Sequence, residues 1–532
     1  MLFALWEFEM GVNFELQILK MFRLLVREIS TYLLVTLLLC HSTNANLSSL
    51  KNIPKPTNHQ EAFELFNKAR SLGNRQRSRA GAISAIRSTQ NKCILSSPPS
   101  SSSFRVTPIE FGADPTGKTD STKAFAAALH SLLNHTSSLP QMASSIINHG
   151  GVILDLAGGV YTISQSVTIP VLVGNIQITG SGTLRASPTF PKDNYLIQIG
   201  SPSCVPTDGQ KVCNEFITIS DIFLDASHIA AGGIQVSKTM GTTITNSFMT
   251  AFNVAGVLID QGHETMISKC WVAEYYWSEN HDQTKCVKGN TGLDGSGSTG
   301  IIINGEDNIV SDIIIFDFTC TGVWVNGAAN LLQGVHSWNG AGVAISVNGS
   351  YDVQDRIVDC YLDYDVLEIV NPRFVLVQGN FFYNTHTELL GTQPVTQLVM
   401  RENIYSLNDY GGNKSVVIAK GATCNHVTVE DEINGYQGSD EKDAHVLQTH
   451  VKKSLHLQGT STVLEFVFDF SKELIFGQID FVQYTIVQDA GAHQCSQYSD
   501  VATKINDTAY KVLVSCSLFS GTVFMEVAEC SL

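Results

Sequence analysis

Two groups of ionisable side chains near the middle of the chain have the residue types and spacing for proton transfer. The first is the turn Asp260-Gln261-Gly262-His263-Glu264, which the later stretch Asn304-Gly305-Glu306-Asp307 resembles. The second begins at Glu274, takes in His281, Asp282 and Asp294, and is followed by Asp317. A carboxyl group that keeps its proton beside one that has lost it can act as general acid and general base. Lys269, Lys285 and Lys288 lie close by in sequence and could hold an anionic ligand. Tyr275, Tyr276, Trp277, Trp324 and Trp338 could stack on a flat apolar one. Each group also has a plainer use: lysines solvate surfaces, aromatic rings fill cores, and short polar side chains bond the backbone at turns.

These residues sit in a chain of 532 residues, with 43% hydrophobic and 15% charged residues. That length suffices for a large core, and so low a charge argues against disorder or a long coiled coil. Lys and Arg total 33 against 49 Asp and Glu, a formal net charge of −16. This is the wrong balance for a nucleic-acid binder, and an anionic ligand needs a locally basic groove.

Arg23 and Arg27 precede the apolar run Tyr32–Leu39, and small residues at Thr43 and Ala45 follow. The order is that of a signal peptide over residues 1–45, with Met21 as an alternative start; the run is short for a membrane span. An exported chain favours disulfides. Of the 12 cysteines, Cys40 leaves with the signal, and the rest lack the paired spacing of a zinc site. Cys204 and Cys213 are the best local pair, because Pro206, Asp208 and Gly209 make a loop between them. Asn46, Asn134, Asn348, Asn413 and Asn506 head glycosylation sequons. No metal or cofactor is expected, nor any membrane or nucleic-acid partner, and the chain is expected to act as a monomer.

The element pattern changes along the chain. Residues 46–103 are polar and end in a Ser/Pro linker. Phe125, Leu129, Leu132 and Leu133 form one apolar stripe of a helix that Asp120 could cap. Beyond residue 150 short β segments recur. Ile219, Ile244, Ile267, Val310, Leu332 and Ile357 are spaced 25, 23, 43, 22 and 25 apart. Gly233, Gly256, Gly300, Gly322 and Gly342 are spaced 23, 44, 22 and 20 apart. Two series sharing one period and one near-doubled step predict a solenoid. Runs such as Ile301-Ile302-Ile303 favour a right-handed parallel β-helix over a leucine-rich repeat, spanning residues 104–449. The aliphatic series should form one buried stack, the helix should cover the first coil, and Asp221, Asn246, Asp312 and Asp359 should occupy one tight turn, bonding backbone there. Alternation in Val463–Phe470 and Tyr510–Val514 predicts a small antiparallel β cap over residues 450–532. The fold class is all-β.

Phe111-Gly112-Ala113-Asp114-Pro115-Thr116-Gly117-Lys118-Thr119-Asp120, followed by a helix and β coils, resembles the entry motif of the pectin-lyase-like superfamily. More narrowly the chain resembles quartet-type plant polygalacturonases, which degrade pectin. The stretches that carry this are Gly150–Leu156, Gly180–Ser187, Gly262–Thr265, Ala329–Leu332 and Tyr361–Tyr364, and the likeness covers residues 104–530. It implies a secreted cell-wall hydrolase of α-1,4-galacturonan acting on homogalacturonan. Ordinary polygalacturonases carry acidic motifs and Gly-His-Gly before successive Gly-Val strands. Here Ala231, Ala255, Thr299, Thr321 and Ala341 stand in those places, so the catalytic residues do not carry over.

Glycoside hydrolysis needs two carboxyl groups, about 6.5–9.5 Å apart in an inverting enzyme, or one to two coils of a β-helix. Asp225 and Asp363 share a coil position five or six coils apart and are excluded. Two clusters remain. One is the insertion Tyr276–Ser298 with Asp282 and Asp294, joined by Asp317, with Lys285, Lys288, Tyr276 and Trp277 as binding groups; the alternative for this segment is an extra coil or a flap tied by Cys270 and Cys286. The other is Asp260, His263 and Glu264 with Asp307 stacked near His263, whose alternative is a turn ladder. A Ca²⁺-dependent pectate or rhamnogalacturonan lyase and a non-catalytic wall-polysaccharide binder are the competing functions.

Overall fold

A computed structural model describes residues 104–134, 142, 146–205, 212–275, 298–340, 342–349, 352–406, 417–419, 424–430, 433–434, 449–459, 463–472, 474–489, 499–515 and 519–529. These belong to one compact unit, Ser102–Leu532. Asn46, Tyr276, Trp277, His281, Asp282, Lys285, Lys288, Asp294 and Asn413 lie outside the described residues, as does the signal segment.

The chain winds as a parallel β-helix. One coil consists of the strands Thr243–Thr245, Phe248–Thr250 and Ala255–His263; the next consists of Met266–Ser268, Trp271–Ala273 and Thr299–Glu306. The three strands of each coil stack on their equivalents as three ladders, named first, second and third in that order. The first and third ladders merge into a 23-stranded sheet and the second forms a 12-stranded sheet. All three are parallel.

Alternation decides what each strand buries. In the first ladder the middle residue points inward. Ile219, Ile244, Ile267, Val310, Leu332 and Ile357 are successive register partners, and none is more than 2% exposed. The predicted stack is therefore continuous. Each such side chain contributes about 1.5–3 kcal/mol by leaving water, so the solenoid core is the main source of stability. Ile267 and Val310 pair directly although 43 residues separate them. Ala255 pairs with Thr299 in the same way. The near-doubled step thus places no coil between these partners, and the extra residues fall in sequence between the second-ladder strand Trp271–Ala273 and the third-ladder strand Thr299–Glu306.

The turn from the first to the second ladder uses a single residue with positive φ. Asp221, Asn246, Lys269, Asp312 and Asp359 have φ of 48 to 57°. Asn and Asp enter this region more readily than other side chains, and Gly334 and Gly379 occupy it freely in other coils. This is the tight turn expected, and its side chains also bond from coil to coil: Asn246 Nδ2 donates to Asp221 Oδ1 at 2.5 Å, and Gln333 Nε2, at the end of a first-ladder strand, to Asp359 Oδ2 at 3.2 Å.

A second polar ladder lies inside. The Thr265 N–H donates to Asn308 Oδ1 (2.9 Å), Asn308 donates from backbone and side chain to Asn330 Oδ1, and the Asn330 N–H donates to Asp355 Oδ1 (2.8 Å). These side chains satisfy buried backbone groups where the coil turns from the third ladder to the first. Burial pushes the Asp355 carboxyl up to about 6, against the opposing pull of the Asn330 hydrogen bonds.

At the N-terminal end the helix runs Thr122–Leu133. It buries Ala124, Phe125, Ala128, Leu129 and Leu132 and packs against the first coils. The N-cap position falls on Ser121, not Asp120, but the Asp120 carboxylate still takes the Thr122 N–H at 2.9 Å. Ser121 Oγ instead accepts from the Asp114 N–H at 3.0 Å. The Asp114 carboxylate accepts from the backbone of Thr116, Lys118 and Thr119, which closes the entry turn; the Thr116 hydroxyl, 2.6 Å away, and then the Thr116 N–H are the chief causes that hold its carboxyl well below the usual range.

Beyond the β-helix, six antiparallel strands make two sheets around a separate core of Phe466, Phe468, Phe470, Val512 and Val523. Val463–Asp469 pairs with Ala509–Ser515, the two segments that alternate in the sequence. Among the described residues no helix is long and apolar enough to cross a membrane.

Candidate active site

The outer face of the third ladder is read by one file of register partners. It runs Gln198, Gln235, Leu258, Ile302, Trp324, Ser346, Glu368 and Glu388. Its middle is apolar: Leu258, Ile302 and Trp324 pack with Tyr195, Ala231 and Ala255. Trp324 is therefore part of this cluster. Further along, the file carries two glutamates on adjacent coils, Glu368 and Glu388, and continues to Ile418. Leu367, Ile369 and Leu389 beside them belong to the solenoid core, so Glu368 and Glu388 point the other way. Both are nonetheless buried, at 3% and 5% exposed.

More ionisable groups lie on the same two coils. His386 Nε2 lies 3.1 Å from Glu388 Oε1. In the first of these coils Asp363 ends the second-ladder strand and Asp365 lies in the turn to the third ladder, both buried. Asp365 Oδ2 accepts from the Gly340 N–H at 2.9 Å. Burial pushes the Asp365 carboxyl up to about 7, opposed by the N–H groups of Gly340 and Gly342 and reinforced by the charge of Asp363. Tyr361 and Tyr383 stand on the second-ladder strands of the same two coils, and the exposed Tyr364 packs edge-to-face on Tyr383. Two adjacent coils thus carry five ionisable groups, with His386 against Glu388 and Asp363 acting on Asp365, and such groups have the chemistry of acid–base catalysis.

The residues singled out from sequence fall in three places. Asp317 occupies a second-to-third-ladder turn two coils earlier, with φ 56° and 2% exposure. Glu274, on the preceding coil, is also buried and accepts from Thr319 Oγ1 at 2.6 Å. Tyr275 packs edge-to-face on Phe248 and Phe316. Asp260 and His263 lie near the end of a third-ladder strand, where Asp260 pairs with Asn304 and His263 with Glu306. His263 Nε2 is 3.2 Å from Asp307 Oδ2 and 4.0 Å from Glu306 Oε2. Burial raises the Asp260 carboxyl, partly offset by Lys238. Glu264 is an exposed turn residue with φ 54°. Lys269 goes elsewhere, to the first-to-second-ladder turn beside Trp271. Asp225 and Asp363 are five coils apart along the second ladder.

Cys204 and Cys213 are disulfide-bonded, with Cα atoms 6.6 Å apart. Asn134 is the C-cap of the helix and Asn506 accepts from the Thr508 N–H; both are exposed. Asn348 ends a third-ladder strand, and its amide donates to Asn326 Oδ1 at 2.9 Å.

Sequence reasoning passed over Glu368, His386 and Glu388. The available signal was a lone acid inside each of two apolar strands, Val366–Val370 and Thr387–Leu390, twenty residues apart. That spacing is one coil, but the Gly series that marks the coils ends at Gly342.

No family model matches the chain. Solved structures of similar fold include ORF18 of Geobacillus virus E2, at 16% identity and TM-score 0.41 over 63% of this chain and 62% of that one. The tailspike gp49 of Pseudomonas phage LKA1 gives 10% identity and TM-score 0.40 over 80% and 100%. The Streptococcus pneumoniae surface adhesin PfbA gives 10% and 0.43 over 62% and 90%. Polygalacturonase QRT3 of Arabidopsis thaliana is 30% identical over 438 residues, 79% of this chain and 83% of that protein. With that identity over most of both chains, on a parallel β-helix, this protein belongs to the quartet-type polygalacturonase family of the pectin-lyase-like superfamily.

Proposed function

We propose that the protein is a secreted plant cell-wall hydrolase that cleaves α-1,4-galacturonan of pectin, with Glu368 and Glu388 as its acid–base pair. The observation that carries this is their placement as register partners on adjacent coils, buried and beside His386. Neighbouring coils stand about 4.8 Å apart, and side-chain reach adds to that, a spacing from which two carboxyl groups can reach the roughly 5–9.5 Å used by glycosidases. Two buried carboxyl groups at this spacing resist ionising together. In this reading His386 favours charge on Glu388, and Glu368 keeps the proton that the departing glycosidic oxygen needs. Asp365 ties its turn to the Gly340 N–H. The polygalacturonase relative supports the substrate class.

The pair His263 and Asp307, with Asp260 nearby in sequence on the same strand, is the second reading, favoured by the 3.2 Å contact. Asp317 with Asp282 and Asp294, which lie outside the described residues, is the third. Incubating the protein with polygalacturonate tests the activity. New reducing ends without the ultraviolet absorbance of an unsaturated product support a hydrolase. Reducing ends with that absorbance replace it with a lyase, and no new ends with retained binding replace it with a binder.

A further inference from the structure

The outer face of the second ladder carries a groove of ≈ 440 Å³ that the proposed reaction does not use. Asp221, Phe223, Asn246, Phe248, Lys269 and Trp271 line it. It crosses three coils, since Phe223, Phe248 and Trp271 are register partners and Asp221, Asn246 and Lys269 are the turn residues of the same coils. Trp271 is 50% exposed. It stands at 90° to Phe316, which itself stacks parallel to Trp338. Among the described residues no ring lies parallel to Trp271.

The polar side of the groove is built for a ligand with both charge and hydroxyl groups. Lys269 makes no ion pair among the described residues, although the whole chain is strongly acidic. Asp221 is fixed by Asn246 Nδ2 at 2.5 Å and Thr179 Oγ1 at 3.4 Å. The Asn246 hydrogen bond is the largest cause that keeps its carboxyl below the usual range, so it remains a preset acceptor. A flat apolar face, a cation and a fixed acceptor within three coils match a uronic-acid ring: apolar ring face, ring carboxylate and hydroxyl groups.

We infer that this groove is a second polysaccharide site that holds galacturonate units of the polymer without cleaving them. The ring packs on Trp271, its carboxylate meets Lys269, and its hydroxyls donate to Asp221. The groove belongs to a different ladder from Glu368 and lies three coils from it, about 14 Å along the axis. It contains one carboxyl group, not the pair that cleavage requires. That the sugar is a uronate rests on the galacturonan reading above; that a sugar ring docks does not.

Affinity electrophoresis through polygalacturonate, and through the same polymer with its carboxyl groups reduced to alcohols, tests this. The expected result is that Trp271→Ala weakens apparent affinity at least tenfold on both polymers, with Trp271→Phe recovering part of it. Lys269→Met should weaken binding to polygalacturonate only. Thermal melts establish that each variant is folded. Unchanged retardation of Trp271→Ala overturns the site. An equal effect of Lys269→Met on both polymers, or none on either, overturns the uronate assignment. The readout is binding, so persistent turnover in Glu368→Gln or Glu388→Gln would sink the proposed catalytic pair and leave this site standing.

Discussion

Glu368 and Glu388 are Cα partners on adjacent coils of the third ladder, and both carboxyl groups are buried on the face opposite the solenoid core. If they carry the reaction, Glu368→Gln and Glu388→Gln each lower turnover of polygalacturonate at least about a hundredfold, the usual scale of acid–base catalysis. The amide keeps the side-chain volume, so the melting temperature should move little. Asp260→Asn, His263→Ala and Asp317→Asn are the rival set. Loss of activity in any of those, with both glutamine variants active, moves the site to that cluster.

Ile267 bridges the coil that carries the insertion, between Ile244 and Val310. Ile267→Ala should destabilise the β-helix by about 2–5 kcal/mol, the cost of a buried large-to-small change. Met266→Ala, at a site 47% exposed, should stay within about 0.5 kcal/mol. Denaturant unfolding of the two variants checks the contrast, and equal effects would contradict the inward register.

Asn308 both accepts from the Thr265 N–H and donates to Asn330. Asn308→Ala leaves that N–H buried without its acceptor, which costs about 1–3 kcal/mol. Asn308→Asp keeps the acceptor and loses only the donor, but buries a charge. Its penalty should therefore shrink at low pH while that of the alanine variant does not. Unfolding of both variants at pH 4 and pH 7 reads the difference.

Asp355 ends the same ladder, with its carboxyl pushed from 3.8 to about 6. The folded state then binds more protons than the unfolded one between about pH 4 and pH 6, so stability falls as pH rises through that window. At 1.36 kcal/mol per pKa unit the change is roughly 3 kcal/mol. Asp355→Asn removes the titration and keeps an acceptor for the Asn330 N–H. Its melting temperature should vary less from pH 4 to pH 6 than that of the unchanged protein. An identical slope in both would show that Asp355 does not titrate there.

The solenoid was legible because a coil repeats its inward residues at a nearly fixed interval. Alternation within each strand fixed which of those residues are buried, and positive φ at the turn explains why Asp and Asn recur there. The antiparallel C-terminal strands were legible by the same alternation.

The site was less legible, because contact between coils depends on register and not on sequence distance. The insertion at 276–297 shows this: by interval it reads equally as an extra coil, yet Ile267 and Val310 are direct partners. Lys269 is close in sequence to Asp260 but lies on another turn of the coil, beside Trp271. Glu368, His386 and Glu388 sit among ordinary strand residues. Only stacking of two successive coils turns them into a group, because a strand's own sequence sets which face a carboxylate takes but not what the neighbouring coil places beside it.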